Sequence, residues 1–111
     1  MERKFRLKSM PHAQCHVVFS VNEYDVVDEV KLVSYATHVA SIQFDTTSEK
    51  WERVLFSKWG NTTAKHINKF FEEFTGLACI YKSLKVGEYV VLSQQQQRCF
   101  YAACGAYEIW G

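Results

Sequence analysis

Apolar residues recur at every second position through the first half of the chain and at every third or fourth position after residue 63. That change of period predicts strands followed by a helix. Residues 1–10 alternate imperfectly, with Phe5 and Leu7 opposite Lys4, Arg6 and Lys8, as a basic arm or a short edge strand that Pro11 ends. His16 to Val21 reads as a strand and Asn22 as a turn residue. Glu23, Asp25, Asp28 and Glu29 form an acidic connector, either a loop or a single helical turn. From Val30 the alternation is regular, with an irregularity at Ala36. Val39, Ser41 and Gln43 then alternate with Ala40, Ile42 and Phe44, and Trp51, Arg53 and Leu55 with Glu52, Val54 and Phe56. The polar stretch 45–50 between them makes a hairpin over residues 38–57. Both its faces carry apolar residues, which predicts a central position with cover on more than one side.

Gly60 and Asn61 break the strand pattern, and Thr62 or Thr63 supplies a hydroxyl to cap the following helix. Ala64, Ile67, Phe70 or Phe71, Phe74 and Leu77 form one apolar stripe, which predicts a helix over about 63–75, with Gly76 just past its end. Beyond it, 78–81 reads as a short strand, and a turn near Gly87 leads into another strand ending at Leu92. Ser93 with Gln96 matches a capping box, predicting a second short helix near 94–104 against a competing strand at 99–101. Residues 107–110 read as a last edge strand. The expected fold is α+β: one domain over residues 1–111, an antiparallel sheet of four to six strands, and the main helix packed on one face.

Composition narrows the function classes. Hydrophobic residues make up 48% of the 111 positions and aromatics 15%, which excludes disorder by composition. Thirteen Lys and Arg against twelve Asp and Glu leave a net charge of +1. That balance speaks against an acidic nucleic-acid mimic and against coating duplex DNA through charge alone. There is no apolar run of membrane-spanning length, so no membrane role is expected, and the basic N-terminus lacks the apolar core of a secretory signal. A cytoplasmic setting follows as an expectation, with Cys15, Cys79, Cys99 and Cys104 as buried, reduced, structural thiols. Their spacing matches no zinc motif, and no metal or cofactor is expected.

Candidate chemistry is sparse, and the chain reads as a binding protein without catalysis. His38 reads as a partly exposed strand residue and His66 as lying on the wet first turns of the helix. The acidic connector lacks the glycine and ligand spacing of a calcium loop. Nucleic-acid binding rests on two sets of cations: the arm (Arg3, Lys4, Arg6, Lys8), and Lys58, Lys65 and Lys69 beside Trp51 and Trp59. Cations interleaved with exposed aromatics suit single strands, and Thr62 and Thr63 at a helix start suit a phosphate. The competing reading puts Trp51 and Trp59 in the core. A protein partner is the other candidate, because Tyr24, Tyr35, Tyr81, Tyr101 and Tyr107 are of the type enriched at interfaces. An exposed edge would also allow a homodimer in place of a monomer.

Two segments carry a family resemblance. Ser34, Tyr35, Thr37, Val39 and Ala40, followed by Thr62, Thr63, His66, Ile67 and Phe70, resemble a group of small uncharacterised proteins of bacteriophages that infect Gram-positive hosts. The likeness spans about forty residues. It implies a phage or mobile-element origin and action in the host cytoplasm by binding a host or phage protein, for example as an anti-CRISPR-like inhibitor of a defence complex. It brings no catalytic, cofactor or metal residue with it.

Overall fold

The computed structural model of the chain describes residues 1–109. Six strands form one antiparallel sheet whose spatial order follows the sequence: β1 (Glu2–Arg6), β2 (Cys15–Val21), β3 (Val27–Ser34), β4 (Thr37–Asp45), β5 (Lys50–Leu55) and β6 (Val90–Val91). Helix α1 (Asn61–Thr75) follows β5, a 3₁₀ turn occupies Tyr81–Ser83, and helix α2 (Gln94–Gly105) closes the described chain. The α+β class and the sheet of up to six strands are as the sequence predicts.

Register explains which face is buried. Directly paired residues share a face, so Val17, Leu32 and Ala40 line up, as do Phe19, Val30 and Ile42. The helices pack on these rows. Phe74 of α1 lies 6.1 Å from Phe19, and Phe100 of α2 lies 4.5 Å from Trp51, measured between ring centroids. Ile67, Phe70, Phe71 and Phe74 are fully buried, each contributing roughly 1.5–3 kcal/mol. The other face holds Lys4, His16, Lys31, Ser41, Gln43 and Glu52, crossed by the Lys31–Glu2 ion pair at 2.8 Å. No helix covers it among the described residues. The hairpin is central, but only its α1/α2 side is roofed; Ser41 and Val54 on the other side are buried among strand neighbours.

Local expectations meet mixed outcomes. Of the two readings of the N-terminus, the edge strand is the one adopted, as β1. The acidic connector is a turn built on Asn22, whose Oδ1 accepts from the Tyr24 and Val26 amides at 2.9 and 3.1 Å, and β3 already begins at Val27. Residues 78–81 form no strand, because α1 must turn back across the sheet and Cys79 adopts φ 57° there. The strand before Leu92 shrinks to Val90–Val91. Residues 107–109 form no edge strand; Tyr107 turns inward to stack on Phe74 at 5.7 Å and to donate its hydroxyl to Glu73. Position 110 lies outside the described residues. Helix α2 takes the capping box in full: Ser93 Oγ accepts from the Gln96 amide at 3.2 Å, and Gln96 Oε1 from the Ser93 amide at 2.9 Å. Gly76 ends α1 at φ 77°.

Candidate binding surfaces

An antiparallel meander sends alternate connections to opposite ends of the sheet, and this divides the candidate residues. The β1–β2 loop, the β3–β4 turn and the β5–α1 connection share one end. There the start of α1 meets the β3–β4 turn over a pocket of about 370 Å³, lined by Ser34, Tyr35, Thr37, Trp59, Asn61 and Thr63 among others.

The start of α1 is uncapped. Gly60 is the N-cap and makes no side-chain bond, so neither Thr62 nor Thr63 caps the helix. Thr63 turns inward instead: its Oγ1 lies 3.0 Å from Ser34 Oγ, which lies 2.8 Å from His66 Nδ1. This network is buried, and His66 is 1% exposed, which corrects its expected wet position. The helical period puts residues 63, 66, 67 and 70 on the sheet side, and Ser34 offers the histidine a partner there. Burial without a nearby charge pushes His66 below its ordinary pKa. With Thr63 engaged elsewhere and no side-chain cap at Gly60, the first free amides of α1 point towards the pocket end with the positive end of the helix dipole.

Two aromatics flank this pocket in the open. Trp59 is 59% exposed, and its Nε1–H donates to Ser57 Oγ at 2.8 Å. Tyr35 is 56% exposed and sits at φ 56°, in the left-handed region that costs a tyrosine energy. The Tyr35 amide donates to the Gln14 carbonyl at 2.7 Å, which fixes the turn. Lys58 Nζ lies 5.1 Å from the Tyr81 ring centroid, and the Tyr81 hydroxyl donates to the Trp59 carbonyl at 3.1 Å. Lys82 follows Tyr81 in the 3₁₀ turn. Lys65 is exposed on the first turns of α1.

The remaining predicted residues are placed elsewhere. Trp51 is in the core at 6% exposure, packed between Phe44 and Phe100, and its Nε1–H donates to the Tyr101 hydroxyl at 2.9 Å. It is no part of the basic surface, because β5 points residue 51 to the roofed face. Lys69 lies one turn further along α1, beside Glu72 at 3.9 Å. Arg3, Lys4 and Arg6 are exposed along edge strand β1; Arg6 donates to the Ala13 carbonyl at 3.2 Å. Lys8 lies over the Tyr107 ring at 5.2 Å. The structure thus brings together Lys58, Trp59 and Lys65 and separates them from Arg3, Lys4, Arg6 and Lys8. Sequence reasoning missed Tyr35 as a neighbour of Trp59; the tyrosine's place in a tight turn was the one available signal.

A second polar group, Ser41 with His38 and Glu29, lies away from the pocket. On the open sheet face the Ser41 hydroxyl donates to Glu29 at 2.8 Å, leaving its oxygen to accept from His38 Nε2 at 2.7 Å. The histidine therefore takes no proton from that serine. Of the cysteines only Cys15 is fully buried; Cys79 is exposed, and Cys99 and Cys104 are half-buried, which corrects the expectation of four interior thiols. Burial pushes the Cys104 thiol up to about 12, which keeps it protonated. Among the described residues no group of three or more His, Cys, Asp or Glu could hold a metal ion, and no helix is long and apolar enough to cross a membrane.

Comparison with known proteins adds one relationship. No curated protein and no solved structure matches the chain. A family profile does match, over residues 6–86, which takes in β2 to α1 and the Tyr35/Trp59 pocket while leaving most of β1 and all of α2 outside. The chain belongs to DUF8033, a family of unknown function.

Proposed function

We propose that this protein binds a macromolecular partner without catalysis, and that the Tyr35/Trp59 pocket takes single-stranded nucleic acid. The observation that carries the reading is the pairing of two exposed aromatics with uncapped helix amides in one pocket. Bases stack on exposed rings whatever their sequence, and each stacked base contributes about 1–3 kcal/mol. A phosphate beside the stacked base meets the free amides of α1. Lys58 and Lys65 supply the diffuse positive charge a backbone needs, so a chain of net charge +1 still presents a local basic surface. Edge strand β1, with Arg3, Lys4 and Arg6, extends that charge without sharing the pocket.

The direct test is a fluorescence-anisotropy titration with labelled oligo(dT) and oligo(U) at two salt concentrations. Binding that weakens with salt and drops at least about fivefold in Trp59→Ala supports the reading. Absence of binding at low salt sinks it. A second reading, that the partner is a protein, is favoured by another group of exposed aromatics, Tyr24 and Tyr101, away from this pocket. In that version the protein is a phage-type accessory factor that occupies a surface of a host defence complex.

A further inference from the structure

At the opposite end of the sheet, the β2–β3 and β4–β5 turns lie side by side next to α2. Between them runs an apolar groove of about 340 Å³, lined chiefly by Tyr24, Val26, Phe44, Trp51 and Tyr101. It continues into a second hollow of about 270 Å³ that shares Val26, Trp51 and Tyr101 and runs along the end of α2. Tyr24 is 77% exposed, Val26 55% and Tyr101 56%. Three large apolar side chains are thus held in the open by the fold itself. Asn22 clamps the turn that carries Tyr24 and Val26, and Trp51 anchors the Tyr101 hydroxyl. Among the described residues nothing covers the groove.

Its rim is acidic. Glu23, Asp25 and Asp28 stand along the β2–β3 wall, and no Lys or Arg occurs from position 7 of β2 through Val30. The β4–β5 turn adds Asp45 and Glu49. Asp45 accepts from the Thr47 amide at 3.0 Å and from Ser48 Oγ at 2.9 Å, which holds its carboxyl below the usual range and keeps it charged. The opposing charges are Lys50, Arg98 one turn before Tyr101, and the Met1 ammonium, which is bonded to the Val21 carbonyl at 3.0 Å. Acidic charge is therefore concentrated at this groove in a chain that is slightly basic overall. An apolar trough with a negative rim complements a segment carrying apolar anchors between cations.

We infer that this groove is a docking site for a basic, apolar peptide segment of a protein partner. Tyr24, Val26 and Tyr101 receive the apolar anchors, and the carboxylates of the β2–β3 turn meet the flanking cations. The inference does not rest on the nucleic-acid reading, since the groove and the Tyr35/Trp59 pocket share no residue.

The test is an NMR titration of the full chain with an acetylated, amidated peptide of sequence Lys-Leu-Lys-Phe-Lys-Leu-Lys. The expected result is a set of amide shifts centred on residues 22–28, 44–46 and 101. Binding is expected to weaken about fivefold or more in Tyr24→Ala and up to about tenfold in the Asp25→Asn/Asp28→Asn double variant. Tyr24 and Asp25 are exposed on the turn and Asp28 is half-exposed at the start of β3, and unchanged shifts elsewhere establish that the variants fold. A version of the peptide with glutamate in place of lysine should not bind. Equal binding of that acidic peptide, indifference to the Asn substitutions, or shifts spread away from the groove would each overturn the inference. So would a dimer of the chain, seen by sedimentation, that Tyr24→Ala dissolves, because a second copy would then be the occupant.

Discussion

At the scale of single residues, the informative positions are those where the chain accepts a cost. Tyr35 holds φ 56° in a turn that glycine or asparagine would make more cheaply, and it presents its ring to solvent there. Tyr35→Gly should therefore raise stability by about 0.5 kcal/mol in urea unfolding, set against some lost flexibility cost in the unfolded chain. The same change should weaken oligonucleotide binding; a variant both more stable and fully competent would remove Tyr35 from the site. His66 is a cost of another kind, a titratable ring buried with the Ser34 hydroxyl on its Nδ1 and the Tyr35 ring 5.9 Å away. Its pKa is lowered, so the native state resists protonation while the unfolded chain takes up a proton below about 6.5. Stability from this group is present above that pH and lost as the pH falls towards the depressed native value. Urea midpoints at pH 7.5 and pH 5 should differ in that direction, and His66→Gln should shrink the difference.

At the scale of elements, the two helices contrast in how they begin. Helix α2 starts with a complete capping box, and Ser93→Ala should cost about 1 kcal/mol by thermal or urea unfolding. Helix α1 starts at Gly60 with no side-chain cap, and a Cβ at that position meets nothing within 4 Å. Gly60→Asp should add roughly 0.5 kcal/mol from capping and the helix dipole. If the free amides serve a phosphate, the new carboxylate competes with it, and binding should fall as stability rises. A gain in both would show that the amides have no such use. Much of this level was legible in the sequence. The Ile67–Phe74 stripe, Gly76 and the Ser93–Gln96 pair each obey a local rule that the tertiary structure leaves intact. The cap of α1 was not legible, since Thr62 and Thr63 look like caps until the buried Ser34 hydroxyl claims Thr63. The strand expected at 78–81, and the described part (107–109) of the one expected at 107–110, did not form because short apolar runs are satisfied equally by packing on helices, as Tyr107 does against Phe74.

At the scale of the molecule, the six-stranded meander turns a nearly neutral sequence into a body with unlike ends. Lys58 and the first turns of α1 with Lys65 lie with Tyr35 and Trp59 at one end; Asp25, Asp28 and Asp45 lie with Tyr24 and Tyr101 at the other. The sequence showed the cations and aromatics but could not say which were neighbours. Alternation sent Trp51 to the roofed face, and the meander parted the β1 cations from Lys58. The family profile ends at residue 86, so the basic-end pocket lies within the shared region, whereas α2, which supplies Tyr101 to the acidic groove, lies beyond it. The most direct test of the nucleic-acid surface is a heteronuclear NMR titration of the full chain with unlabelled oligo(dT). The account predicts shifts at Tyr35, at the Trp59 indole N–H and at the amides of residues 61–63, fading as salt is raised. Shifts at Tyr24 and Tyr101 instead, or none at any salt concentration, would contradict it.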